Sequence, residues 1–344
     1  MNGFWFGVSL IIAIYLAILL ISEPIAQIIG VAAIPISLLC LITGIIIGNL
    51  INLPSSWVRG TNYVKKNVLQ IAIVCLGLKI SLVQVFEVAL SSLVLIISVF
   101  FVVFILGVIL QRIFMKEKEL ITLIGIGTAI CGVTAIMASS TVIKSKEKDI
   151  AIAVLIVVLW GSIGVFTYPF FVEWFFFSEI SKGLFLGVGI HDTSQVLAAS
   201  LIHFDINGNS IVLETSTLTK LIRNLFLALL IPYLSIKVQP NSRKQIDLFK
   251  QVTNNIPLFV YGFIFFILIR TIGDQIMTSS LIWEQILNWN HQIVSALFGF
   301  ALIALGLSIK IKELKDLTRS SVIIGLIFSL GILLVGIIVM PILS

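Results

Sequence analysis

The sequence predicts an all-α polytopic membrane protein with nine to eleven transmembrane segments, arranged as two inverted repeats with two discontinuous or re-entrant helices. Three observations predict it. Hydrophobic residues make up 59% of the 344 positions and charged residues 11%, with a mean hydropathy of +1.18, whereas a soluble domain carries about 25% charged residues. Apolar stretches of about 20 residues, enough to cross ~30 Å of hydrocarbon at 1.5 Å per residue, recur from Phe4 to Leu343. Two of these stretches concentrate glycines and hydroxyls at their middle, as expected where backbone is broken and lines a cavity.

In chain order the apolar segments fall near residues 4–21, 33–50, 67–90, 92–111, 120–143, 150–172, 183–203, 214–236, 254–272, 284–308 and 320–343. The first, WFGVSLIIAIYLAILLIS, has no basic leader and no small-residue cleavage site, so it reads as a retained helix. The polar interruptions at 51–66 and 237–253 are too short to fold as an extramembrane domain. The chain therefore reads as a single transmembrane domain over residues 1–344, with repeat-related segments at about 33–172 and 183–343. Cys40, Cys75 and Cys131 all fall within apolar segments, and an odd number of buried thiols argues for packing, not for a disulfide framework or a metal site.

The net charge of +6 comes from lysines and arginines gathered in short loops, which is the positive-inside signature and not a nucleic-acid footprint. The basic loops are 51–66 (Arg59, Lys65, Lys66), 112–119 (Arg112, Lys116, Lys118), 144–149 (Lys144, Lys146, Lys148), 237–253 and 309–319. If all eleven segments crossed, the loop at 144–149 would lie outside, against the orientation of its neighbours. The conflict disappears if 120–143 dips in from the cytoplasm and 183–203 dips in from outside. Every basic loop then faces the cytoplasm. These two segments are the ones that read GIGTAICGVTAIMASS and GLFLGVGIHDTSQVLAAS at their centres. Close helix packing through small residues is the other reading of either one alone.

Repetition supports the broken-helix reading. LGLKISL (Leu76 to Leu82) is similar to LGLSIKI (Leu305 to Ile311), and the two broken segments share Gly127 with Gly187, Ile130 with Ile190, Ala138 with Ala198 and Ser140 with Ser200. On the charge-derived topology each matched pair runs in opposite directions, as in transporters built from inverted repeats.

An ionisable side chain inside a bilayer costs at least ~2.5 kcal/mol, so it normally faces a cavity or a partner. His191 and Asp192 lie inside the second broken segment, followed by Thr193, Ser194 and Gln195. Lys220, Arg223 and Asn224 share one face of the next helix, with Arg223 about 13 Å from its start at 1.5 Å per residue. Lys79 lies within the LGLK element. These cations suit an anion site, to which a helix starting near mid-membrane adds free amides and Thr128, Thr134 and Ser139 of the first broken segment add hydroxyls, with Cys131 and Gly132 beside them as further substrate contacts. Asp192 or His191 would change protonation as the coupling group. Snorkelling is the alternative for Lys79 and Lys220, and a structural pair with Asp192 is the alternative for Arg223. Arg270 reads as a topology determinant. No enzyme motif, metal-ligand spacing or strand-to-helix glycine loop is present, so neither catalysis nor a cofactor is expected.

With these residues in view, the chain resembles the YeiH-like sulfate-exporter family (UPF0324 membrane proteins), within the grouping of bile-acid and citrate symporters. The likeness rests on GTAICGVTAIMASSTVI at 127–143, IHDTSQVLAAS at 190–200 and TLTKLIRNLFLALLIPYL at 217–234. The family pattern has a glutamate where this chain has Asp192 and an arginine where it has Lys79. The resemblance implies a multi-pass protein of the bacterial inner (plasma) membrane, often a homodimer, with an elevator-like or rocking movement around two broken helices. It implies a secondary transporter, exporting a small oxyanion such as sulfate or sulfite. Transport of a sulfonate, carboxylate or bicarbonate, or an anion channel, remains an alternative, with sodium or a proton as the coupling ion.

Overall fold

The computed structural model describes residues 2–29, 35–238, 256–277 and 280–343. Among them every regular element is helical. The order is α1 (Asn2–Ile29), α2 (Ile36–Leu50), α3 (Ser55–Tyr63), α4 (Leu69–Leu76), α5 (Leu82–Ile113), α6 (Lys118–Ala129), α7 (Val133–Ile143), α8 (Glu147–Phe175), α9 (Glu179–Gly189), α10 (Thr193–Asn207), α11 (Ile211–Val238), α12 (Leu258–Ile276), α13 (Leu281–Ser308) and α14 (Arg319–Leu343). Seven of these, α1, α5, α8 and α11 to α14, are long and apolar enough to span a bilayer. Phe86 is 75% exposed and Phe104 70% exposed on α5, a surface that is stable against hydrocarbon and not against water. The chain is an all-α polytopic membrane protein.

The two segments expected to be broken are broken. α6 has 12 residues, α7 11, α9 11 and α10 15, so at 1.5 Å per residue each falls short of the ~30 Å core. Other boundaries differ from the sequence expectation: α1 runs on to Ile29, past the end expected near residue 21. Residues 55–63, expected in a polar loop, form α3 and continue through a π-helical turn at Val64–Val68 into α4. The boundary expected between 90 and 92 falls instead at Ile80 and Ser81. Ser81 N–H donates to Gln84 Oε1 (2.8 Å) and Leu82 N–H to Thr271 Oγ1 (3.0 Å), which starts α5 there. Ser92 is mid-helix, buried and bonded to Thr219 Oγ1 at 2.9 Å. The basic loop at 237–253 lies almost entirely outside the described residues.

The chain divides into two compact units, one of Met1–Val85, Leu201–Ser210 and Leu258–Lys312, the other of Phe86–Ser200, Ile211–Pro257 and Glu313–Ser344. Each unit takes helices from both repeat-related segments. In the first unit α2 packs backbone to backbone on α13. A β-carbon on Gly48 would lie 2.7 Å from Leu307 O. Asp205, at the end of α10, accepts from Ser37 N–H (2.8 Å) and Oγ (2.7 Å) and so caps α2, which its own preceding residue, Pro35, cannot do. The LGLK and LGLS elements close in the same turn, Ile80 N–H to Gly77 O at 3.2 Å and Ile309 N–H to Gly306 O at 3.0 Å. Arg270 donates to Leu78 O (3.2 Å) and pairs with Asp274 (2.6 Å), so it caps the α4 end. Lys79 Nζ sits 2.6 Å from His291 Nδ1 and 5.5 Å from the centre of the Phe204 ring.

Candidate functional site

The second unit contains both breaks, and the backbone explains each of them. α6 ends at Ile130 (φ −119°, ψ −94°), and the chain turns through Gly132 at φ +67° and ψ −127° into α7. Glycine tolerates that conformation and an L side chain does not. α9 ends in extended backbone at Ile190. α10 then starts on an Asp192 cap: Ser194 N–H (2.9 Å) and Oγ (2.5 Å) both donate to Oδ1. The two breaks touch. A β-carbon on Gly132 would lie 3.0 Å from Asp192 Cβ and 3.1 Å from its Cα. Cys131 to Thr134 and His191 to Gln195 therefore meet, as the sequence predicts.

What ties them together is α11. Lys220 (1% exposed) donates to Ile130 O (3.1 Å), Ile190 O (3.1 Å) and His191 O (2.6 Å). Arg223 (0% exposed) donates through Nε to Ala129 O (2.6 Å), through Nη1 to Val188 O (2.7 Å) and Ile190 O (3.3 Å), and through Nη2 to Thr128 O. The last carbonyls of a helix have no partner within it and carry the negative end of the dipole. Two cations on one helix satisfy two such ends at once. The register is that of the repeat: Lys220 bridges Ile130 and Ile190, the matched pair, and Arg223 bridges Thr128 and Val188 two residues before each.

The remaining candidates divide into buried and accessible. His191 hydrogen-bonds Ser329 Oγ of α14 through Nε2 (2.9 Å). Gln195 Nε2 donates to Val158 O (3.0 Å) and Ser162 Oγ (3.2 Å) of α8, in a space left open by Gly161. Both fix the second break to its surroundings, and their partners gave no sequence signal beyond a serine in an apolar helix. Cys131 is a buried free thiol, and the buried Thr128 hydroxyl has no partner among the described residues. Asn224 Nδ2 donates to Thr193 Oγ1 at 3.1 Å. Thr134 is exposed, while Asp192, Thr193 and Ser194 are partly exposed. Lys79 belongs to the other unit. Among the described residues no ion pair joins Arg223 to Asp192.

A family profile described as conserved hypothetical protein 698 matches residues 6–325. The chain belongs to that family. Family relatives include UPF0324 membrane proteins from Streptococcus agalactiae, 30% identical over 88% of this chain and 89% of the relative, and from Bartonella henselae, 32% identical over 84% and 78%. Another, from Haemophilus influenzae, is 28% identical over 88% of this chain and 87% of its own length. No solved structure matches the chain. In this family member the crossing has a chemical direction. Its carbonyl-rich side is closed by Lys220 and Arg223, while α7 starts with no side-chain cap beside the exposed Thr134.

Proposed function

We propose that the chain is a secondary transporter, not an enzyme, for a small oxyanion such as sulfate or sulfite, acting as an exporter in a bacterial plasma membrane. The observation that carries this reading is the placement of two basic side chains at the meeting point of four half-helices. Lys220 and Arg223 are both buried there, and Asp192 is the acid that lies against Gly132 at the same crossing. Broken helices that meet inside a bilayer mark alternating-access carriers more than continuous pores. In this reading the substrate touches Thr134, Thr193, Ser194 and the first amides of α7. Lys220 and Arg223 act behind it as field, because most of their N–H groups are already bonded to carbonyls. Thr128, Cys131, Gly132, His191 and Gln195 shape the floor. A homodimer fits the resemblance, as does cytoplasmic exposure of the basic loops. A panel of sulfate, sulfite, taurine, bicarbonate and citrate, tested by thermal shift on purified protein, checks the substrate class. Stabilisation by at least one small oxyanion supports it, and stabilisation by citrate alone moves the reading to carboxylates.

Asp192 is the proposed coupling group, with His191 next to it. Asparagine caps helices as well as aspartate does, so Asp192→Asn removes the charge and keeps the α10 start. It is expected to retain anion binding and lose the pH dependence of flux. Asp192→Ala should also lose the cap, at about 1 kcal/mol of stability. Parent-like pH dependence in Asp192→Asn would remove Asp192 from coupling.

A further inference from the structure

Three carbonyl oxygens converge on the Lys220 ammonium: Ile130 O and Ile190 O at 3.1 Å each and His191 O at 2.6 Å. The first two belong to the residues that end α6 and α9, so two negative helix ends point at one position. An ammonium has three protons, and here it finds three acceptors. Unwound carbonyls and half-helix C-terminal ends are also the groups that hold a coupling cation in carriers built from broken helices. In this chain the seat made by those groups is taken by a cation that is covalently attached to α11 and cannot leave.

We propose that Lys220 is a built-in replacement for a monovalent metal ion at the crossing of the two broken helices, so that flux through this protein does not depend on sodium. Arg223 reinforces the substitution, because it occupies the adjoining carbonyls of Thr128, Ala129 and Val188 from the same helix face. A tethered charge cannot be exchanged between the two sides of a membrane. It therefore cannot carry the energy of a sodium gradient, and coupling passes to a proton or to a counter-anion. The consequence for coupling rests on the transporter reading above, whereas the cation seat itself does not.

The test has two arms. In the first, the melting temperature of the purified parent is followed as sodium replaces choline at constant ionic strength, and sodium dependence of flux is measured in proteoliposomes. Both should be flat. Saturable stabilisation of the parent by sodium, or flux that requires it, overturns the proposal whatever the variants do. In the second arm, Lys220→Ala vacates the three carbonyls and Lys220→Arg refills them. The Ala variant should melt below the parent and recover by a saturable amount with sodium, potassium or lithium, since binding to the folded state stabilises it in proportion to the logarithm of ligand concentration. Lys220→Arg should stay insensitive to these ions. A folded Ala variant that none of the three ions stabilises overturns the seat. If Lys220→Ala does not fold, the parent arm decides alone. Because the melting measurements contain no substrate, a failed transporter reading leaves them intact, and the two failures are distinguishable.

Discussion

Arg223→Gln is expected to unfold or severely destabilise the protein before it affects the substrate. Arg223 makes four hydrogen bonds to buried carbonyls on two different half-helices, and a glutamine amide brings two protons on a shorter stem. At least two acceptors are left unpaired, each at about 1–3 kcal/mol, for a loss of roughly 2–6 kcal/mol. Arg223→Lys keeps the charge but not the planar fork, and should fall between. Thermal melting of the solubilised protein measures this. A glutamine variant that melts like the parent contradicts the clamp. If it also no longer binds anion, Arg223 belongs among the direct substrate ligands.

Gly132→Ala is the second large effect, and it acts through the backbone alone. At φ +67° and ψ −127° an alanine costs about 1–3 kcal/mol, and its methyl group would lie 2.9 Å from Asp192 Oδ2 and 3.0 Å from its Cβ. Relief requires the breaks to separate, which pulls Ile130 O away from Lys220. Melting should drop, and flux should fall by more than the loss of folded protein accounts for. Parent-like flux from Gly132→Ala would show that contact between the breaks is not needed.

Much of this architecture is legible in the order of the residues, and the reasons are specific. Composition dictates the membrane class because no soluble core can absorb that many apolar residues. The charge of the 144–149 loop marks the segment before it as irregular, and the Ile130 with Ile190 match locates both helix ends. The glycines are less faithful guides. Gly132 makes a break. Gly183 and Gly187 do not; they bring α9 onto α11, where β-carbons would lie 2.6 Å and 2.7 Å from Thr215 and Thr219 Cβ. Small-residue packing is therefore the correct reading for those two positions, within a segment that is nonetheless broken.

The partners of the buried cations cannot be read from residue types. Sequence reasoning looks for a carboxylate opposite an arginine, and Asp192 is the available one. The carbonyls that Lys220 and Arg223 engage belong to Thr128, Ala129, Ile130, Val188, Ile190 and His191, and a backbone oxygen carries no letter. The capping role of Asp192 is open to inference, since an aspartate two residues before a serine at a helix start is a common cap. The α3 helix escapes a hydropathy reading because its exposed polar face resembles a loop.

The most direct test of the account is counterflow in proteoliposomes. Vesicles holding the purified protein are loaded with unlabelled sulfate and diluted into labelled sulfate, then into labelled sulfite and bicarbonate, each with sodium or choline outside. The account predicts saturable uptake of at least one small oxyanion, stimulated by the unlabelled anion on the far side and equal in sodium and choline. Well-folded protein that moves none of these anions, or passes them as an unsaturable current with no stimulation from the far side, would contradict it.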